Sequence, residues 1–314
     1  MPSQLILICG PTATGKTRLG VALAKALGGE VVSADSMQVY RDLVIGTARP
    51  TQEEMAGVPH HMMGVADPRE NYSVARYVQE ATACVEDIFR RGRQPIVVGG
   101  TGLYLDALCQ GRSFSDFRPE TGVRTRLQAQ AAQGGLDALW EQLRQVDPET
   151  AARLHPHDAK RIIRALEVWY DTGQTISQHN RQTQTQPPRY QGVTIALTYR
   201  DRQDLYQRID QRVDQMMARG LAEEVRALLA AGIPRTSTAM QAIGYKEAVA
   251  AVRGEATAQE AADAIRLASR QYAKRQLTWL RRDAQLFWLR HEKTPDMDLA
   301  CRRSTQFLAG RGIE

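Results

Sequence analysis

The chain has 314 residues, 43% of them hydrophobic and 24% charged, so it can bury a substantial core in one large or two ordinary domains. This composition excludes a disordered protein. The net charge of +6 is modest for the length, so a nucleic-acid partner must be argued from where basic residues cluster.

The cysteines and the hydropathy pattern indicate the cellular compartment to expect for this protein. Four cysteines lie far apart and form no Cys-x-x-Cys pair, which argues against a zinc knuckle, a redox motif and a disulfide scaffold. No apolar stretch approaches the roughly 20 residues that cross a bilayer. We therefore expect a soluble, cytoplasmic protein without membrane contact, and we expect it to be a monomer.

The first predicted element is a strand, Leu5–Cys9, followed by the glycine-rich segment GPTATGKT and the helix-prone stretch Arg18–Leu27. In a strand, loop and helix of this kind, backbone N–H groups face a di- or triphosphate. Lys16 would reach the outer phosphate, and the Thr17 hydroxyl could ligate Mg²⁺. The candidate diphosphate-binding residues of this phosphate loop are Gly10, Pro11, Thr12, Ala13, Thr14, Gly15, Lys16 and Thr17.

Two further apolar runs, around Val31–Val32 and Pro95–Val98, end in small or polar residues, and the stretch 74–91 between them has helical spacing. This alternation predicts an α/β fold: a parallel sheet core like that of P-loop NTPases, with helices on both faces. Ligands of such sheets bind outside the carboxyl ends of the strands, which would bring the phosphate loop, Asp35 and Thr101 together.

Asp35 is the carboxylate that stands out, because it follows a predicted strand beside the phosphate loop. It could be a general base or a Mg²⁺ ligand. Thr101 could bind the ligand or simply cap the helix that follows it. The strand before Thr101 ends in Gly-Gly-Thr rather than in an acid, which weakens an ATP-hydrolysis interpretation.

Residues 113–188 are predicted to form a helical insertion between the two parts of the α/β core, 1–112 and 189–314. Helix formers dominate Arg124–Gln145 and Pro148–Asp171, and Thr183–Pro188 reads as a connector. Lys160, Arg161 and Arg164 at helical spacing could be a salt-bridged surface or a phosphate-binding edge.

The core is predicted to resume with a strand at Val193–Leu197 and a long amphipathic series in which Met216 and Met217 are assigned to core packing. A basic helix, Ile265–Arg282, then carries Tyr272 and Trp279 among its arginines and lysines. Cations interleaved with rings suit an RNA backbone and unstacked bases, although a solvated helix face has the same appearance.

Together these segments resemble the tRNA dimethylallyltransferase family, also called tRNA isopentenyltransferase, of the bacterial type. The resemblance covers nearly the whole chain. Its motifs, as they stand here, are GPTATGKT, SADSMQVYRDLVIGTARP, VPHH, DPRENYS, VVGGTGLYL, RIIRALEV, AIGYKE and YAKRQLTW. Many relatives have arginine where this chain has Met37, within the DSxQ motif.

The resemblance implies transfer of a dimethylallyl group from dimethylallyl diphosphate to N6 of the adenosine at tRNA position 37, with Mg²⁺ as cofactor. It implies Asp35 as the base, Thr101 as a second polar group at the reaction centre, and Arg212 as a further diphosphate contact. The tRNA would be contacted by Asp35, Ser36, Met37, Gln38, Thr101, Arg124, Lys160, Arg161, Arg164, Gln241, Gly244, Tyr245, Lys246, Lys274 and Arg275.

Three alternatives use the same phosphate loop. An ATP-dependent small-molecule kinase is one, and an adenylate isopentenyltransferase acting on a free nucleotide is another. The third is an RNA-binding module with an inactive loop. The helical insertion and the basic C-terminal helix favour a tRNA acceptor over a free nucleotide.

Overall fold

The computed structural model describes residues 3–111, 122–185 and 187–313. The chain divides into two compact units, Met1–Gly111 with Arg189–Glu314, and Arg112–Pro188. Within the described residues, no helix is long and apolar enough to cross a membrane.

The first unit is built on a six-stranded sheet with the order β3-β2-β4-β1-β5-β6, in which every pairing is parallel. Its strands are β1 (Gln4–Cys9), β2 (Glu30–Ala34), β3 (His60–His61), β4 (Pro95–Gly99), β5 (Gln191–Tyr199) and β6 (Phe287–His291). The predicted parallel α/β core is therefore confirmed. Sequence analysis missed β3 and β6, because two to five residues after a turn carry too short a pattern to recognise.

Fourteen helices occur in the described residues. In chain order they are α1 (Lys16–Ala26), α2 (Gln52–Met55), α3 (Val74–Arg90), α4 (Gly102–Gln110), α5 (Val123–Gln130), α6 (Leu136–Val146), α7 (Pro148–Arg153), α8 (Ala159–Thr172), α9 (Ile176–Gln184), α10 (Arg202–Ala218), α11 (Leu221–Ala230), α12 (Tyr245–Val252), α13 (Ala258–Leu280) and α14 (Met297–Ala309).

The central strands are buried on both faces, as expected for a parallel sheet covered by helices. Ile6 of β1 lies opposite Ile96 of β4 on one side and Val193 of β5 on the other. These residues belong to a fully apolar cluster to which α1 contributes Leu19 and Leu23. Each such buried side chain contributes about 1.5–3 kcal/mol, so the sheet is a rigid support for the loops at its carboxyl edge.

The second unit is helical, and each of the two stretches rich in helix formers contains more than one helix. The stretch Arg124–Gln145 is broken between α5 and α6, where Gly134 has φ +85°. The next stretch is broken before α8, because Asp158 accepts a hydrogen bond from the Arg161 amide and starts a new helix. The predicted connector overlaps α9, which runs to Gln184. A glycine with positive φ makes the first break, and a side-chain cap marks the second.

Candidate active site

The phosphate loop joins β1 to α1 through residues with positive φ. Gly10 has φ +152° and Gly15 has φ +83°, and a Cβ on Gly10 would lie 2.5 Å from the Leu197 carbonyl oxygen. Thr14 Oγ1 donates a hydrogen bond of 2.9 Å to the Pro11 carbonyl and so closes the loop on itself. Glycine is therefore required at position 10 by space as well as by conformation.

The neighbouring strands hold the loop from behind. The hydroxyl of Tyr199, at the end of β5, lies 3.3 Å from the Ala13 carbonyl. His291, at the end of β6, lies with Nε2 3.1 Å from the Thr14 carbonyl. Burial lowers the pKa of His291, so the neutral ring donates its Nε2 proton to this carbonyl. The otherwise unrecognised strand β6 thus helps to fix the phosphate loop.

Two cations lie at the open side of the loop. Lys16 Nζ donates to the Pro11 carbonyl at 2.6 Å, and Arg212 Nη2 donates to the Thr47 carbonyl at 3.3 Å. Burial and the neighbouring Arg212 lower the pKa of Lys16 to about 8. Neither cation has an ion pair with a described carboxylate, and the buried Arg212 Nε has no partner among the described residues. This arrangement is suited to bind an anion.

Asp35 and Thr101 occupy the carboxyl ends of two adjacent strands, β2 and β4. Asp35 Oδ1 accepts hydrogen bonds from the amides of Met37 at 2.9 Å and Gln38 at 3.3 Å. Thr101 stands at the N-cap position of α4, but its side chain makes no capping bond. Instead, Thr101 Oγ1 accepts from the Ser36 amide at 3.0 Å. Thr101 therefore links the two strand ends, and the simple helix cap is excluded.

A cavity of about 330 Å³, which we call the reaction cavity, brings Asp35 and Arg212 together with Lys16 and Thr17, whereas Thr101 is not among the residues that line it. Its polar end contains Lys16, Thr17, Asp35 and Arg212. Its apolar wall consists of Ile209, Val213, Met216, Ile243 and Ile265. Met216 is buried, as expected of core packing, yet it also faces this cavity. The helical spacing of the α10 residues was visible in the sequence, but it could not distinguish a core face from a cavity wall.

Helix α13 closes the reaction cavity with Tyr272, Arg275 and Gln276. Gln276 is only 7% exposed, and its Oε1 has no partner among the described residues. Its Nε2 donates to the Gly100 carbonyl at 2.9 Å, beside Thr101. Sequence analysis did not identify Gln276, because a polar residue on a charged helix gives no sign that it faces inward.

Another wall of the cavity is the loop formed by residues 44–48, which includes Gly46, Thr47 and Ala48. The carboxylate of Glu224 on α11 holds this loop by accepting hydrogen bonds from the backbone amides of Val44, Ile45 and Gly46 at 3.2, 2.8 and 3.3 Å. The Tyr245 hydroxyl donates to the same carboxylate at 2.5 Å. Nothing in the sequence near Glu224 indicated this function.

Apart from Thr101, the predicted tRNA contacts of the first unit divide into three groups. Five of them line the reaction cavity besides Asp35: Ser36, Met37, Gln38, Gln241 and Arg275. Lys246 and Lys274 are exposed. Tyr245 is fully buried and Gly244 is buried with φ +99°, so the prediction that these two contact RNA is wrong. They form the turn and the anchor that hold the 44–48 loop.

In the second unit, Arg124 and Arg164 both pair with the buried carboxylate of Glu167, at 2.8 and 2.9 Å. Arg161 pairs with Asp158 at 3.1 Å, and Lys160 is exposed. The arginines therefore belong to a salt-bridged helix surface, with roughly half or more of each side chain still exposed. Contact of these four residues with tRNA remains a prediction.

The basic helix is less uniformly positive than predicted. It begins at Ala258 rather than at Ile265, and two of its arginines are neutralised by α10. Arg266 pairs with Asp214 and with Asp263 of its own helix, while Arg270 pairs with Asp210. Among the described residues, the positive charge of this helix that has no ion pair is therefore concentrated in its last part, from Lys274 onward.

The chain was compared with known proteins. Family models described as IPP transferase and Isopentenyl transferase match residues 38–283 and 3–64. A tRNA dimethylallyltransferase of Caldanaerobacter subterraneus subsp. tengcongensis is 48% identical over 90% of each chain. The crystal structure of a tRNA isopentenylpyrophosphate transferase from Bacillus halodurans is similar with TM-score 0.72 and 44% identity, over 98% of this chain and 96% of that one. A eukaryotic dimethylallyltransferase described as acting on tRNA gives TM-score 0.81 and 31% identity, over 98% of this chain and 78% of that one.

Proposed function

The chain belongs to the tRNA dimethylallyltransferase family, and we propose that it transfers the dimethylallyl group of dimethylallyl diphosphate to N6 of adenosine 37 in tRNA. The observation that carries this proposal is the composition of the reaction cavity. One volume of about 330 Å³ combines a cationic end, a carboxylate and an apolar wall. A prenyl diphosphate and a weakly basic amine require these three surfaces together.

The cationic end would bind the diphosphate. Lys16 and Arg212 are without carboxylate partners among the described residues, and the phosphate loop surrounds Lys16 with backbone amides at the start of α1. Negative charge grows on the diphosphate as the C–O bond to the allyl carbon breaks. Lys16 and Arg212 would therefore stabilise the transition state more strongly than the bound substrate.

Mg²⁺ is part of this proposal. The Thr17 hydroxyl lines the reaction cavity, and it is a hard oxygen donor of the kind that Mg²⁺ prefers together with phosphate oxygens and water. Thr17 would be the protein ligand next to the phosphate loop. A bound Mg²⁺ ion would neutralise part of the diphosphate charge.

Asp35 would act as the general base. The N6 lone pair of adenine is delocalised into the ring, so attack is easier if a carboxylate removes the proton. The amides of Met37 and Gln38 both donate to Oδ1, which fixes the carboxylate and leaves Oδ2 to accept a proton. As the bond from N6 to the allyl carbon forms, the bond to diphosphate breaks and the N6 proton passes to Asp35.

The apolar wall would hold the dimethylallyl tail between these two ends. Isoleucine, valine and methionine side chains exclude water, which would otherwise capture the positive charge that develops on the allyl group. An ATP-dependent kinase has no use for such a wall next to its phosphate site. This feature favours prenyl transfer over phosphoryl transfer.

The acceptor adenosine has to leave its stack to reach Asp35, which costs a few kcal/mol. The exposed cations Lys274 and Arg275, next to the cavity, would offset this cost by binding phosphates. We assign the second unit, with Arg124, Lys160, Arg161 and Arg164, to contact with the same tRNA. Its role is a proposal that follows from its surface cations.

The proposal is tested by incubating the protein with dimethylallyl diphosphate, Mg²⁺ and an unmodified tRNA that has adenosines at positions 36 and 37. The tRNA is digested and analysed by mass spectrometry. We expect N6-dimethylallyladenosine at position 37. Modification of AMP but not of tRNA, or ATP turnover without prenyl transfer, would contradict the proposal.

A further inference from the structure

A second cavity, of about 360 Å³, lies beside the carboxyl end of β5 and shares none of the residues that line the reaction cavity. We call it the arginine pocket. Its cations come from four places in the fold: the residue after β5, the start of α10, the end of α13 and strand β6. They are Arg200, Arg202, Arg281 and Arg290, and Asp283 is the one acidic residue among those that line the pocket.

Ion pairs among the described residues involve only one of these four arginines. Arg200 pairs with Glu292 at 2.7 Å, but both side chains are more than 60% exposed. The other three arginines have no ion pair with a carboxylate among the described residues. Four like charges around one cavity repel each other, and an anion bound there would relieve that repulsion.

The pocket also offers a stacking surface. Alternation along β6 places Trp288 and Arg290 on one face, while Leu289 and His291 are buried on the other. The Arg290 guanidinium lies 5.8 Å from the Trp288 ring centroid. An indole ring beside guanidinium groups is suited to an unstacked base and its phosphate, rather than to a simple inorganic anion.

The same two helices line both cavities. Tyr272 and Gln276 of α13 face the reaction cavity, while Leu277 and Arg281, the residue that follows the helix, face the arginine pocket. Arg281 lies nine positions after Tyr272, which is about 14 Å along the axis. A chain whose modified base enters the reaction cavity can therefore follow α13 to the arginine pocket.

The geometry points to the arginine pocket as a binding site for a nucleotide of the RNA acceptor close to the modified one in the strand. Arg281 and Arg290 would bind the phosphodiester, and Trp288 would stack on the base. This inference rests on the proposed function, because that function supplies the RNA. A free nucleotide has the same phosphate and base, so the experiment must separate the two.

The test uses the full-length protein and a fluorescent anticodon stem–loop RNA, with affinity measured by anisotropy across a salt series. The test variant reverses two charges, Arg281→Glu with Arg290→Glu. A matched control reverses two exposed charges on α14, Arg302→Glu with Arg303→Glu. Arg281→Glu with Arg290→Glu should weaken binding about tenfold or more at low salt and lower the salt slope by roughly one to two, while the control leaves both unchanged.

A third variant, Trp288→Ala, separates stacking from charge. We expect the Kd for RNA to rise about fivefold or more with the salt slope unchanged. Equal effects of the test and control pairs on RNA binding would overturn the inference. It would also be overturned if Arg281→Glu with Arg290→Glu weakened the binding of AMP and left the binding of RNA unchanged. These readouts do not require prenyl transfer, so failure of the proposed chemistry and failure of this inference can be told apart.

Discussion

The side-chain amide of Gln276 donates a hydrogen bond of 2.9 Å to the backbone carbonyl of Gly100, which joins α13 to the loop that follows β4. A Cβ on Gly100 would lie 2.2 Å from Gln276 Nε2, so the contact requires glycine. The bond places α13, the helix proposed to face RNA, against the strand end that carries Thr101. Position 276 therefore couples the proposed acceptor surface to the proposed reaction centre.

Replacement Gln276→Leu should reduce kcat/KM for prenyl transfer by about tenfold, because the Gly100 carbonyl loses its donor and α13 loses its alignment. Gln271→Leu, on the same helix but exposed, serves as the control and should have little effect. Steady-state kinetics with tRNA and circular dichroism check both variants. If the two variants have the same kcat/KM, Gln276 does not align the site.

Replacement Asp35→Asn should lower the rate of prenyl transfer by roughly a hundredfold or more. Asparagine keeps an oxygen that can accept from the amides of Met37 and Gln38, so the turn survives while the base is lost. Binding of tRNA should be largely retained. Asp42→Asn, at an exposed position in the following segment, is the control. Turnover near that of the unmodified protein would exclude Asp35 as the base.

The affinity for dimethylallyl diphosphate should depend on pH through Lys16. Its pKa is lowered to about 8, so Lys16 is charged at lower pH and loses its proton as the pH rises through this value. Between about pH 7 and 9 the charged fraction falls about tenfold, and the Kd should rise by a similar factor.

The matched variant for this pH dependence is Lys16→Arg, because a guanidinium stays protonated over the whole range. Titration of both proteins with dimethylallyl diphosphate by calorimetry provides the measurement. We expect the inflection near pH 8 to disappear in the arginine variant. An inflection that persists there would mean that another group controls binding.

Removal of two charges, Lys274→Ala with Arg275→Ala, should weaken tRNA binding and reduce the salt slope by roughly 1.4, the value for two single-strand phosphate contacts. Both side chains are exposed at the end of α13, where no aspartate of α10 neutralises them. Lys293→Ala with Arg302→Ala removes the same charge from other exposed positions and is the control. Filter binding across a salt series distinguishes the two pairs of substitutions. If the salt slope of the Lys274→Ala with Arg275→Ala variant is unchanged, this part of α13 is a solvated helix face that does not bind phosphate.

Replacement Glu224→Ala should raise the KM for dimethylallyl diphosphate and lower kcat, because three backbone amides of the 44–48 loop lose their acceptor. That loop supplies the Thr47 carbonyl that holds Arg212. Glu224→Gln keeps one carbonyl acceptor and should recover part of the activity. Glu223→Ala, next along the chain and mostly exposed, should be neutral. Identical kinetics for the two alanine variants would show that the loop does not depend on this carboxylate.

The sequence by itself determined the elements whose cause is local. Strand β1, the phosphate loop and α1 are continuous in the chain, so hydrophobic pattern and glycine spacing were sufficient to predict them. The general geometry of parallel sheets was also sufficient to predict that the carboxyl ends of β2 and β4 lie at the same edge. Asp35 was therefore predicted correctly to lie near the phosphate loop.

Tertiary structure alone decided which distant residues complete the site. Glu224 reaches an amide 179 residues earlier in the chain, and Gln276 reaches a carbonyl 176 residues earlier. Tyr245 was predicted to contact RNA, yet it is buried against Glu224 because α11 and α12 pack together. The hydrogen-bond partner of a side chain depends on which helices and strands pack together. That packing cannot be read from local residue patterns.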